Sequence, residues 1–86
     1  MDRSAAIRRA ILRSLDQCQG YLLAEDQLRY AVEAAVNPLP TRAEFDRELR
    51  ALDSELMVAG LPSDNPLCRQ NRWKICDAGR LALASP

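Results

Sequence analysis

The sequence predicts a small, mainly α domain with one β-hairpin, in the order helix, strand fragment, helix, helix, strand, strand, short helix (α-β-α-α-β-β-α). Three observations lead there. Apolar residues recur at helical spacing in three stretches, Ile7/Ile11/Leu15, Leu28/Val32/Val36 and Phe45/Leu49/Leu52/Leu56, so three helices each present one face to a core. A T-x-x-E pattern at Thr41 and Glu44 marks the start of the third helix as a capping box, in which each side chain satisfies the other residue's orphan amide. Beyond it, "PSDNP" at 62–66 has turn chemistry, and "RWKIC" at 72–76 alternates Trp73 and Ile75 with Arg72, Lys74 and Cys76, the two-residue period of a half-buried strand.

Taken in order, Ser4 offers a cap for the first helix, Leu12 widens its apolar stripe, Arg9 and Arg13 point away from it, and it ends before Gly20. "YLL" at 21–23 is long enough only for a strand fragment. "AEDQLRYAVEAAV" then forms a second helix with Ala31 and Ala35 beside its apolar stripe, thin enough to pack closely. Pro38 and Pro40 in "NPLP" stop it, because each lacks an amide donor and restricts the residue before it. The third helix runs through Leu56 into the strand-like "LMVAGL". After the second strand, Asp77 can cap a short last helix, "AGRLALA".

Composition limits the function classes. The 86 residues make one domain, and 48% hydrophobic against 28% charged residues is a globular balance that provides a core. Twelve basic and twelve acidic residues cancel, so nothing global draws the chain to phosphate or anionic lipid and any nucleic-acid surface must be local. Residues 1–40 carry five bases and five acids, 41–61 three and five, and 62–86 four and two, which makes the last third the basic part. No histidine is present, and the cysteines, Cys18, Cys68 and Cys76, are an odd set without a CxxC pair. Three thiols fall short of the four ligands of a structural zinc site, so no metal and no cofactor is expected, and free thiols suit a reducing cytoplasm. No apolar run is long enough for a membrane span. "MDRSAAIRRAILR" has the arginine-rich, acid-poor look of a transit peptide, but Ile7 and Ile11 serve a core that is already small.

Catalysis is not expected either. A base would have to be a carboxylate, a tyrosine or the lone lysine, Lys74, on an exposed strand face, and Gly20, Gly60 and Gly79 are too scattered for a phosphate loop. Tyr21, Tyr30, Phe45 and Trp73 are interspersed with core positions rather than gathered as a base-stacking surface. Cys68 and Cys76 flank the hairpin as small loop and strand-end residues.

The element order, with "AEFDRELRALDSELMVAGL" followed by "RWKICDAGRLALA", resembles the winged helix-turn-helix family over almost the whole chain. Trp73, Ile75 and Gly79 fill that family's aromatic, aliphatic and glycine places at the close of the wing, while Cys76 stands where threonine is usual. The resemblance implies a single winged-helix domain over 1–86, with a helix-turn-helix at about 25–56, a wing at about 57–76 and a short C-terminal helix at about 77–84. It also implies a small cytoplasmic DNA-binding protein, a transcriptional or phage-type regulator, with the third helix in the major groove and the wing on the backbone.

The third helix holds three arginines and five acids, an unpromising count for a DNA-reading element. Sorting by angle, at about 100° per residue, separates them. Opposite the core stripe lie Ala43, Arg47, Arg50 and Ser54, with no acid among them; Glu44, Glu48 and Glu55 fall on one flank, and Asp46 and Asp53 on the other beside Arg42. The outward stripe suits base reading, where arginine bonds guanine bidentately and serine donates or accepts. Thr41 and Arg42 at the helix start and Arg69, Gln70, Asn71, Arg72 and Lys74 in the acid-free run 65–75 are the candidates for backbone contact with double-stranded DNA. A homodimer would double those contacts, although no residue pattern specifies one. The competing reading is a protein-interaction module or assembly subunit that docks a protein partner through the acid-flanked helix or an apolar patch; the arginines are then ordinary surface pairs, Asp46 with Arg50 and Glu44 with Arg47.

Overall fold

Asp2, rather than Ser4, caps the first helix, α1 (Arg3–Asp16), its Oδ1 accepting the Ser4 amide at 3.3 Å. Ser4 is thereby drawn into the first turn and its hydroxyl is released for a longer-range contact. The computed structural model describes residues 2–18, 21–62 and 71–84. The second helix, α2 (Glu25–Ala35), begins with Glu25 and Asp26 in its first turn, where carboxylates meet the positive end of the helix dipole, and Gln27 Oε1 accepts the Ala24 amide at 3.2 Å. Its core residues are Leu28 and Val32, with Val36 buried just past its end.

The expected capping box opens α3 (Arg42–Ser54): Thr41 Oγ1 accepts the Glu44 amide at 3.1 Å, and Glu44 Oε1 accepts the Thr41 amide at 3.0 Å. Phe45, Leu49 and Leu52 are at most 2% exposed, and burying each such side chain is worth about 1.5–3 kcal/mol against roughly 1 for the cap. The cap therefore sets where α3 starts, and the apolar stripe sets its rotation.

Leu56 departs from that stripe. It is 74% exposed and has a φ of 62°, the left-handed region, because the helix stops two residues before it. The Leu56 amide donates to Asp53 O at 3.1 Å and the Met57 amide to Leu52 O at 2.9 Å, the paired bonds of a Schellman termination. Reversing the chain in this way puts Met57, not Leu56, against the core. Glycine is the usual residue at this position because a Cβ costs about 1–2 kcal/mol there. With little leucine burial to lose, Leu56→Gly should raise the unfolding free energy by about 0.5–1 kcal/mol, readable as a higher denaturant midpoint.

The hairpin expected from the sequence is part of a three-stranded antiparallel sheet of order β1-β3-β2, formed by β1 (Leu23–Ala24), β2 (Val58–Leu61) and β3 (Arg72–Ile75). The fragment before α2 thus joins the sheet, with Leu23 opposite Trp73 and Ala24 opposite Arg72. On the other edge Val58 faces Ile75 and Gly60 faces Trp73. Gly60 admits the indole, since a Cβ there would stand 2.9 Å from the ring. The last helix, α4 (Asp77–Ala84), starts with Asp77 inside it rather than capping it: the Cys76 carbonyl takes the Gly79 and Arg80 amides at 3.0 and 3.1 Å. Gly79 lets α4 approach the chain just before β2, a Cβ there meeting Met57 O at 2.5 Å.

The molecule is thus mainly helical, four helices and one small sheet among the described residues, with α1 packed against α2, α3, α4 and β3. No helix among the described residues is long and apolar enough to cross a membrane.

Candidate nucleic-acid interface

With Phe45, Leu49 and Leu52 turned inward, α3 leaves Ala43, Arg47, Arg50 and Ser54 exposed along one line, and Arg42 and Thr41 exposed at its start. The Arg47 and Arg42 side chains are 69% and 70% accessible. Neither expected local pair, Asp46 with Arg50 or Glu44 with Arg47, is formed. Arg50 has no ion-pair partner among the described residues, and Arg47 only leans on Glu48, Nε to Oε1 at 3.9 Å.

The acids on one flank of α3 are committed to α1 instead. Arg3 grips Glu44 with two bonds, Nε to Oε2 at 2.7 Å and Nη2 to Oε1 at 3.2 Å. Hydrogen bonding from that guanidinium, then from the Thr41 amide, holds the Glu44 carboxyl at about 2, well below the usual 4.5. Glu48 is 3% exposed, accepts the Ser4 hydroxyl and lies 3.5 Å from Arg8 Nε. Arg8 Nη1 also reaches Glu55 Oε2 at 3.5 Å. Counted alone, α3 with its capping residue Glu55 is two charges negative; counted with the Arg3 and Arg8 that hold its acids, it is neutral. The arginine ridge is not bordered by free carboxylates on this side.

The other flank differs. Arg42, Asp46, Arg50 and Asp53 line a cleft of about 360 Å³ between α3 and β3, which Asn71, Trp73 and Glu25 also line. Asp46 is 3.9 Å from Arg42 Nε, a long and solvent-screened pair. Asp53 is exposed, without an ion-pair partner among the described residues.

Of the backbone candidates, Arg42 and Asn71 therefore share one surface with Arg50. Arg69 and Gln70 lie outside the described residues. Arg72 is half-buried in the central strand, and Lys74 lines a separate hollow with Tyr21, Cys76, Asp77 and Arg80. Alternation along β3 puts Lys74 on the face opposite Trp73, away from the α3 cleft. Sequence reasoning missed Arg3 and Arg8 as the groups that neutralise α3, and Glu25 as a wall of the cleft; each contact depends on tertiary juxtaposition and leaves no local pattern. No group of three acidic, cysteine or histidine side chains fit to hold a metal ion occurs among the described residues. Comparison with protein-family models, with curated proteins and with solved structures finds no match for this chain.

Proposed function

We propose that this chain is a winged-helix DNA-binding protein of the regulatory kind, presenting α3 to the major groove. The observation that carries the reading is the disposal of the acids: Glu44, Glu48 and Glu55 are taken up by Arg3, Ser4 and Arg8, and Ala43, Arg47, Arg50 and Ser54 stand exposed. Arg47 and Arg50 are the base-reading groups, with Ser54 as an adaptable donor or acceptor and Ala43 small enough to meet a thymine methyl. Thr41, Arg42 and the free amides of the first turn of α3 hold one phosphate, and Asn71 across the cleft holds backbone on the wing side. Support for the winged arrangement comes from the central β3, which joins the strand before α2 to the strand after α3 in one sheet.

The second reading, a module that docks a protein, is favoured by one feature, the cleft in which Glu25, Asp46 and Asp53 outnumber Arg42 and Arg50. Duplex binding separates the two. With one or two phosphate contacts, affinity for a mixed-sequence duplex should fall by about 3- to 12-fold between 50 and 200 mM salt. Asp46→Asn with Asp53→Asn should strengthen binding by roughly fivefold, since each carboxylate borders the phosphate path. Absence of binding at 50 mM salt overturns the DNA reading.

A further inference from the structure

While Arg3 and Arg8 are occupied with α3, Arg9 and Arg13 stand one turn apart on the side of α1 away from its core residues Ile7, Ile11 and Leu15. Neither has an ion-pair partner among the described residues, and no described acid lines the two furrows beside them. This cationic ridge runs between two furrows. One, of about 320 Å³, has Ala6, Ala10, Ala35 and Val36 along it, and Arg9 and Arg13 at its rim. The other, of about 220 Å³, lies where α1, α3 and α4 meet, lined by Ala5, Leu12, Leu52, Met57 and Leu83, with Arg8 and Arg9 at its rim. Arg9 borders both.

We propose that this outer face of α1 docks an acidic, amphipathic helical segment of a partner protein. Charge complementarity selects carboxylates for half-buried Arg9 and exposed Arg13, which have no counter-charge of their own among the described residues. The furrows on either side then select the kind of acid. Alanines along the first leave room for a large apolar side chain, and the second is apolar across three helices, so the occupant must carry apolar groups beside its carboxylates. A nucleic acid or a simple polyacid supplies the charge without those groups. The inference does not rest on the DNA reading, because neither Arg47 nor Arg50 lines either furrow.

The test uses the whole chain, labelled with nitrogen-15, and a synthetic peptide of about 16 residues, four helical turns, with leucine and glutamate on one helical face. Its amide spectrum should shift at Ala6, Ala10, Leu12 and Leu83. Arg9→Glu with Arg13→Glu should weaken the peptide by about tenfold or more, and the milder Arg9→Gln with Arg13→Gln should act in the same direction if the reversal disturbs folding. Arg47→Glu with Arg50→Glu should leave the peptide affinity unchanged. A scrambled peptide of the same composition binding equally well, a duplex that moves the same α1 amides, or no shift at millimolar peptide would each overturn the proposal.

Discussion

Replacing Glu48 with alanine should lower the unfolding free energy by about 2–3 kcal/mol, a larger effect than any other single acid in the chain should give. Glu48 is 3% exposed, and it accepts the Ser4 hydroxyl while facing Arg8 Nε at 3.5 Å. Breaking a fully buried pair costs about 3–5 kcal/mol, because the surviving charge is left without compensation. Arg8 is 35% accessible and can turn to Glu55, which it already meets at 3.5 Å, so the expected loss falls below that range. Glu48→Gln keeps an acceptor for Ser4 and removes only the charge, and about 1 kcal/mol should go. Urea unfolding followed by far-ultraviolet circular dichroism measures both. A loss under about 0.5 kcal/mol in Glu48→Ala would show that water replaces the carboxylate between α1 and α3.

The second large effect concerns binding. Each arginine that bonds a guanine edge bidentately is worth about 1–3 kcal/mol, so Arg47→Glu with Arg50→Glu should reduce duplex affinity by at least about 30-fold. Both residues are exposed, and the variant's stability should remain within about 0.5 kcal/mol of the parent, which separates lost contact from lost fold. Between the single alanine variants, Arg50→Ala should cost more. Arg50 has no competing ion pair among the described residues and shares its cleft with Asn71, whereas Arg47 is drawn towards Glu48 at 3.9 Å. Retention of parental affinity in the double reversal would remove α3 from the interface.

What the sequence made legible in α3 was local. The capping box fixes its start through residues three apart, and Phe45, Leu49 and Leu52 fix its rotation through the helical period; that is enough to put Ala43, Arg47, Arg50 and Ser54 outside. Its end was not legible, because a left-handed residue is ordinarily announced by glycine and here is a leucine that continues the apolar spacing. Two-residue β1 has no periodicity to detect and becomes a strand only through its bonds to β3. The fate of the acids was hidden for a similar reason. Glu44, Glu48 and Glu55 meet partners 41, 44 and 47 residues away, while spacing rules see only neighbours three or four apart and suggest pairs that do not form. Lys74 follows the same logic, since alternation correctly exposes it but cannot say that its face of the sheet looks away from α3.

A neutral chain presents an arginine ridge on α3 because the neighbouring acids are held by α1. Arg3, Arg8 and Ser4 hold α1 against α3 and at the same time withdraw three carboxylates from the surface that α3 presents. Packing and electrostatic sorting are here one set of contacts, so variants such as Glu48→Gln that loosen the helix pair also alter the charge beside the ridge.

The most direct measurement is the amide spectrum of the nitrogen-15-labelled chain titrated with a mixed-sequence duplex at low salt. Shifts gathered at Ala43, Arg47, Arg50 and Ser54, extending across the cleft to Asn71 and leaving Arg9 and Arg13 unmoved, are the result expected if α3 enters the groove. Shifts confined to α1 and α4, or a spectrum that duplex leaves unchanged, would contradict it.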